Sequence, residues 1–177
     1  MRSIDTGSHG GLGDLVVYGG FVWAADLDGT VVRVGRRVDR VPGIGETEQL
    51  AALGGAVWAI AAGPGELVRI DARSLGVRRF RIGPSPKAIA AGDGAVWVAL
   101  TDRRLLRFDP ARERAALVAR LPDAPILLAP TGGVVWSLAA NGRLAKVGEG
   151  SARVARSFGR RPFGLAVGGG ALWVGTR

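Results

Sequence analysis

Residues 87–100 read KAIAAGDGAVWVAL, two apolar runs around Gly92-Asp93-Gly94. Asp-Gly between such runs is a hairpin signal, because a two-residue primed turn needs positive φ at both central positions. The reading gives a first strand (a) over 87–91 and a second (b) over 95–100, with Trp97 in its middle. A third strand (c) over 105–108 is closed by Asp109-Pro110, and a fourth (d) spans 115–120. Leu121-Pro122-Asp123 then leads the chain onward.

This unit recurs. GGFVWAA, GGAVWAI, DGAVWVA, GGVVWSL and GGALWVG place Trp23, Trp58, Trp97, Trp136 and Trp173 in one frame, separated by 35, 39, 39 and 37 residues. That period is the length of a four-stranded propeller blade. Helical solenoids are excluded, since glycine pairs interrupt every segment before an amphipathic helix could form. The expected fold is all-β: a β-propeller of four four-stranded blades plus a partial fifth, in one domain over 1–177. The blades fall at about 12–46, 47–85, 86–124 and 125–161, with the partial blade at 162–177 joined by 1–8. Residues 1 to about 6 then act as a clasp strand, or else the sequence belongs to a larger propeller with open edges. The tryptophans are expected to fill the space between neighbouring sheets.

The remaining strands follow the scheme. Asp28-Gly29, Pro64-Gly65 and Asn141-Gly142 are b–c turns, and strand a is small and apolar, as in Ala88–Ala91, which suits a crowded inner position. Strand c alternates apolar and basic: Val32-Arg33-Val34, Val68-Arg69-Ile70, Leu106-Arg107-Phe108 and Ala145-Lys146-Val147. It reads as a solvated basic stripe rather than a binding ring.

The pattern x-x-I/L-A-x-G-x-G-x-V/L-W-V-A followed by V/L-R-I/F-D resembles the YVTN and virginiamycin B lyase-like propeller superfamily along essentially the whole chain. Asp71 and Asp109 stand at the family's turn after strand c, and Asp5 has the same setting. The resemblance implies one of several roles: lyase, lactonase-like enzyme, surface module, or sensor domain attached to bacterial kinases and regulators. The lyases use late-blade histidines and a glutamate with a divalent metal. Here His9 is the single histidine, and it precedes the first blade.

Other chemistry is scarce. The absence of cysteine removes disulfides and thiolate chemistry. Gly10-Gly11-Leu12-Gly13 lacks the Lys-Ser/Thr of a phosphate loop, and no serine has a G-x-S-x-G setting. Asp26 and Asp28 are near enough in sequence to share a cation, although Asp-x-Asp is common in hairpins. Neither a cofactor nor a metal is expected. No apolar run approaches a membrane span. Met1–Gly10 has no apolar stretch, so the sequence as it stands reads as cytoplasmic, and as extracytoplasmic only within a longer exported or anchored protein.

The charge is the remaining lead. The net charge is +9 and only Lys87 and Lys146 are lysines, a bias that GC-rich coding also produces. In an up-and-down blade the b–c turn and the d–a crossing emerge on one side. That expectation gathers Lys87, Arg103, Arg104, Arg143, Arg160 and Arg161 on a common rim, with Asp102 and Asp123 as the nearby acids. The sequence therefore points to a non-catalytic module that binds a protein, or an anionic small molecule or polymer, at one face. Specific nucleic-acid binding is disfavoured, because the aromatics are not interleaved with the basic residues. A lyase-like or lactonase-like enzyme, as a remnant or a piece, is the alternative.

Overall fold

A computed structural model describes residues 5–7, 11–148, 150–159 and 161–177, and no helix occurs among them. Four antiparallel meanders and a hairpin account for nearly all of the chain. The first sheet comprises β1 (Leu12–Tyr18), β2 (Phe21–Asp26), β3 (Thr30–Val34) and β4 (Val38–Val41). The second comprises β5 (Leu50–Leu53), β6 (Ala56–Ala61), β7 (Glu66–Asp71) and β8 (Val77–Arg81). The third holds β9 (Pro86–Gly92), β10 (Ala95–Leu100), β11 (Arg104–Asp109) and β12 (Arg114–Arg120). The fourth holds β13 (Pro125–Thr131), β14 (Val134–Ala139), β15 (Arg143–Gly148) and β16 (Ser151–Ser157). β17 (Pro162–Gly168) and β18 (Ala171–Thr176) pair only with each other. Packing divides the chain into two compact units, Met1–Ile82 and Gly83–Arg177.

Turn chemistry explains the repeat. Gly19-Gly20, Gly54-Gly55, Asp93-Gly94, Gly132-Gly133 and Gly169-Gly170 all have positive φ, as the primed turns between strands a and b require. At the opposite end, the residue that closes the b–c turn accepts a backbone hydrogen bond from just beyond strand d. Gly29 accepts from Ile44, Gly65 from Ile82, Arg103 from Leu121 and Gly142 from Phe158, at 2.7–3.1 Å.

Each unit has its own core. In the first, Trp23, Ala25 and Val31 meet Val57, Ala59, Val68 and Ile70 of the second sheet. In the second, Ala95, Trp97, Ala99 and Leu105 meet Leu128, Val135 and Val147 of the fourth sheet. Within each unit, period-2 alternation puts the tryptophan of the earlier sheet (Trp23 or Trp97) on the face toward the later one, where it meets the residues beside that sheet's own tryptophan, Val57 and Ala59 or Val135. Trp23, Trp58 and Trp97 are buried, and the indole N–H of each is satisfied by the carbonyl five residues earlier, on Tyr18, Leu53 and Gly92. Burying such a ring contributes on the order of 5 kcal/mol.

Two tryptophans depart from that expectation. Trp136 is only half-buried, and Trp173 is 65% exposed although its indole N–H still reaches the Gly168 carbonyl. The physical reason is coverage. The sheet after Trp136 has two strands, and among the described residues no sheet follows Trp173.

The basic residues of strand c have a structural task. Arg33, Arg69, Arg107 and Lys146 are the direct cross-strand partners of Trp23, Trp58, Trp97 and Trp136, and so lie on the same face as the indoles. The Arg33 guanidinium sits 5.7 Å from the Trp23 ring centroid, and Lys146 Nζ 5.8 Å from that of Trp136. Arg33, Arg69 and Arg107 are partly buried, so the stripe is less solvated than its charge suggested. In Arg33 and Lys146 the charged head itself lies within cation–π range of the ring. Arg33 is further tied to Asp39 at 2.7 Å.

The proposed clasp falls mainly on residues 1–4 and 8, which lie outside the described residues. Residues 5–7 form no strand, and the Thr6 carbonyl accepts from Arg40 Nη1 of the first sheet.

Candidate functional site

The charged rim was expected where strand b turns into strand c and strand d crosses to the next sheet. In the third sheet these ends are aligned: Pro86 pairs with Leu100, Arg104 pairs with Arg120, and Thr101 and Leu121 bond back to Ser85 and Arg103. Lys87, exposed near the start of β9, stands at this end of the sheet. Arg143 opens β15 and Arg161 immediately precedes β17, where its carbonyl accepts from the Arg177 N–H. Arg160 lies outside the described residues.

The two acids counted from the sequence both find partners. Asp102 Oδ2 accepts from Arg104 Nε at 2.7 Å, and Asp102 Oδ1 caps the turn by accepting from the Arg104 backbone N–H at 3.2 Å. Partial desolvation alone would raise the Asp102 carboxyl. The hydrogen bonds from Arg104 and the charges of Arg104 and Arg120 outweigh it, so Asp102 is held below the usual range. Asp123 Oδ1 accepts from Arg143 Nη1 at 3.1 Å and from Asn141 Nδ2 at 3.0 Å. Arg104 and Arg143 thus have local counter-charges. The Arg103 guanidinium instead donates from Nη1 to the Pro122 carbonyl at 3.3 Å.

Arg103 is also conformationally unusual. The corresponding turns of the first, second and fourth sheets close on Gly29, Gly65 and Gly142 with φ of 86°, 71° and 80°. Arg103 occupies the same left-handed position at φ 71°. A Cβ there costs roughly 1–2 kcal/mol. The chain therefore carries a guanidinium where three equivalent turns have glycine. Sequence reasoning found Arg103 but missed Arg120, which lies directly across β11 from Arg104. Its signal was the basic end of strand d, and only register places it beside Arg104.

Elsewhere the Asp26–Asp28 pair is already served. Arg40 Nη2 lies 3.2 Å from Asp28 Oδ2 and 3.6 Å from the fully buried Asp26 Oδ2, so a guanidinium takes the place a cation would fill. No group of three or more His, Cys, Asp or Glu among the described residues could hold a metal ion. His9 lies outside the described residues. A hollow of about 450 Å³ at the a–b end of the fourth sheet is lined by Lys146, Ser151 and Arg153 among others, a second basic spot that the sequence did not single out. None of the described helices is long and apolar enough to cross a membrane, since there are none.

No family model and no curated protein matches the chain. Solved structures do. Hydrazine synthase of Kuenenia stuttgartiensis aligns with TM-score 0.73 at 15% identity, covering 92% of this chain and 55% of that one. A chain of a nidogen/laminin complex aligns with TM-score 0.73 at 14% identity, covering 89% and 68%. The computationally designed Ika8 protein aligns with TM-score 0.71 at 14% identity, covering 96% and 57%. The chain therefore spans a little over half the length of the first of these. At such identities the likeness carries the fold alone. The class of protein is an all-β propeller-type repeat protein, with four four-stranded blades and a two-stranded part of a fifth.

Proposed function

We propose that this chain is a non-catalytic propeller module of the YVTN or virginiamycin B lyase-like kind, which binds an acidic protein or another anionic ligand at the b–c end of the third blade. The observation that carries the reading is Arg103, held left-handed where the equivalent turns have glycine, beside Arg104 and Arg120. An outlier that costs stability at an exposed turn is a reason to look for a task. Three guanidinium groups against the single Asp102 carboxylate leave a net positive corner, and planar guanidinium forks suit carboxylate and phosphate oxygens. Arginine stays protonated at neutral pH, so the corner can hold an anion but can neither take nor give a proton. Lys87, Arg143 and Arg161 extend the same positive field. The likeness to a chain from a nidogen/laminin complex is compatible with a role in protein binding.

The test is binding of poly-glutamate and of single-stranded DNA, as probe polyanions, across a salt series. The parent should bind at low salt and release as exposed charges become screened beyond about 10 Å at 0.1 M salt. Arg103→Gln, Arg104→Gln and Arg120→Gln together should abolish this with the all-β circular dichroism unchanged. Equal binding by the triple variant at every salt concentration would leave the charge as coding bias alone.

A further inference from the structure

The third sheet's b–c turn carries a charge that its geometry does not require. In three sheets the residue two before the start of strand c caps the turn through one side-chain oxygen. Asp28 Oδ1 accepts from the Thr30 N–H at 2.9 Å, Asp102 Oδ1 from the Arg104 N–H at 3.2 Å, and Asn141 Oδ1 from the Arg143 N–H at 3.0 Å. In the fourth sheet a neutral amide thus closes the turn as a carboxylate does elsewhere. The negative charge of Asp102 has a different task, carried by its second oxygen.

Asp102 Oδ2 accepts from Arg104 Nε at 2.7 Å, on the side edge of the guanidinium. Gly83 leaves that edge bare, since a Cβ there would stand 3.3 Å from Arg104 Nη2. Arg120 lies directly across from Arg104, and like charges so placed destabilise a sheet pair. Partial desolvation opposes the charge on Asp102, yet the bonds from Arg104 and the charges of Arg104 and Arg120 hold its carboxyl below the usual range. One carboxylate therefore answers both arginines. The contact is also readily opened: the Asp102 side chain is 45% exposed, and exposed ion pairs hold weakly against water.

Given the third-blade corner as the anion site, on which this rests, we infer that Asp102 is an internal competitor for that site. It fills the side edge of Arg104 with its own carboxylate, and a carboxylate or phosphate oxygen of the ligand takes its place on binding. What the ligand gains at Arg104 is offset by what Asp102 gives up, so a single free anion gains little. A chain bearing several acidic groups overcomes the offset by engaging Arg103 and Arg120 as well.

The test compares Asp102→Asn with Asp109→Asn in binding single-stranded DNA and poly-glutamate at 0.1 M salt. Asparagine at 102 keeps the turn cap, as Asn141 does, and frees the edge of Arg104. Asp109 accepts from Arg112 Nη1 at the same 2.7 Å and caps its own turn. It lies at the far end of β11, about 17 Å away at the rise of a strand and beyond the screening length of about 10 Å. Both substitutions change the net charge equally. Asp102→Asn should bind both probes about threefold more tightly, the size expected of an exposed ion pair. Asp109→Asn should stay within about 1.5-fold of the parent. The Arg104 Nε–H signal in NMR should exchange with water faster in Asp102→Asn than in the parent, and the probe should slow it again. If the circular dichroism of Asp102→Asn departs from the parent's, Asp102→Ser replaces it, with a hydroxyl to cap the turn and the same gain expected. An equal gain in Asp109→Asn overturns the inference, because charge count alone would then explain it. Unchanged affinity in Asp102→Asn while the parent binds overturns it too, and leaves the rim standing as an anion site. Absence of binding by the parent and both variants overturns the rim along with it.

Discussion

Replacing Arg103 by glycine should separate what the residue does for the fold from what it does for binding. The left-handed turn position costs a residue with a Cβ roughly 1–2 kcal/mol, which glycine relieves. Glycine returns about 0.4–1 kcal/mol of that through greater freedom of the unfolded chain. The exposed bond from Arg103 Nη1 to the Pro122 carbonyl, 3.3 Å long, is lost as well. A weak exposed bond of this kind contributes about 0.5 kcal/mol. The backbone bond from the Leu121 N–H to the Arg103 carbonyl, 2.7 Å, survives any substitution. The balance is a variant about 0.5 kcal/mol more stable than the parent, read as a higher urea midpoint at unchanged m-value. Arg103→Ala retains the strain and should be neutral to slightly destabilised. Both variants should lose affinity for single-stranded DNA. The slope of log K against log salt should fall in magnitude by about 0.7 for the one lost phosphate contact. A loss of more than about 1 kcal/mol in the glycine variant would refute the reasoning, because the side chain would then be holding the turn together. Unchanged polyanion binding in both would refute the functional half.

Trp97→Ala should cost roughly 3–5 kcal/mol in denaturant unfolding, whereas Trp173→Ala, at 65% exposure, should cost less than about 1 kcal/mol. Gly92→Ala should destabilise by about 1–3 kcal/mol, because its Cβ would stand 2.7 Å from Pro130 Cγ and 3.1 Å from the Pro130 carbonyl, where β9 meets β13. Asp71 is held at about 2 by the backbone N–H of Ser74, the Ser74 hydroxyl and the backbone N–H of Arg73, with a smaller contribution from the Arg69 charge. A depressed carboxyl contributes stability that is complete above its unfolded value near 4 and is lost as pH falls toward 2. Acid titration of unfolding should therefore show a loss in that window, and Asp71→Asn should flatten it.

Much of the fold was legible because the repeat states it five times. Gly-Gly or Asp-Gly before each tryptophan identifies the a–b turns, and the third unit's strands were placed to within about a residue of β9 to β12. Local chemistry decides these features: primed turns need positive φ, and alternation needs only the pleat. The basic residue of strand c was visible, but its role was not. That Arg33 or Lys146 faces a tryptophan follows from cross-strand register, which pairs residues ten apart in sequence through a turn of set length.

The candidate site divides in the same way. Length, composition and the tryptophan frame determined by themselves that this is a basic all-β repeat without cysteine. Only the tertiary structure decided which charges are already answered, with Asp102 on Arg104 and Asp123 on Arg143. It also brought Arg120 opposite Arg104, and it left Trp173 uncovered where Trp23, Trp58 and Trp97 are buried. The reason is one of range. Turn and strand preferences act over a few residues and are written in each segment, whereas burial and charge pairing depend on which neighbour packs against a segment, and identical motifs acquire different surroundings at different places in the array.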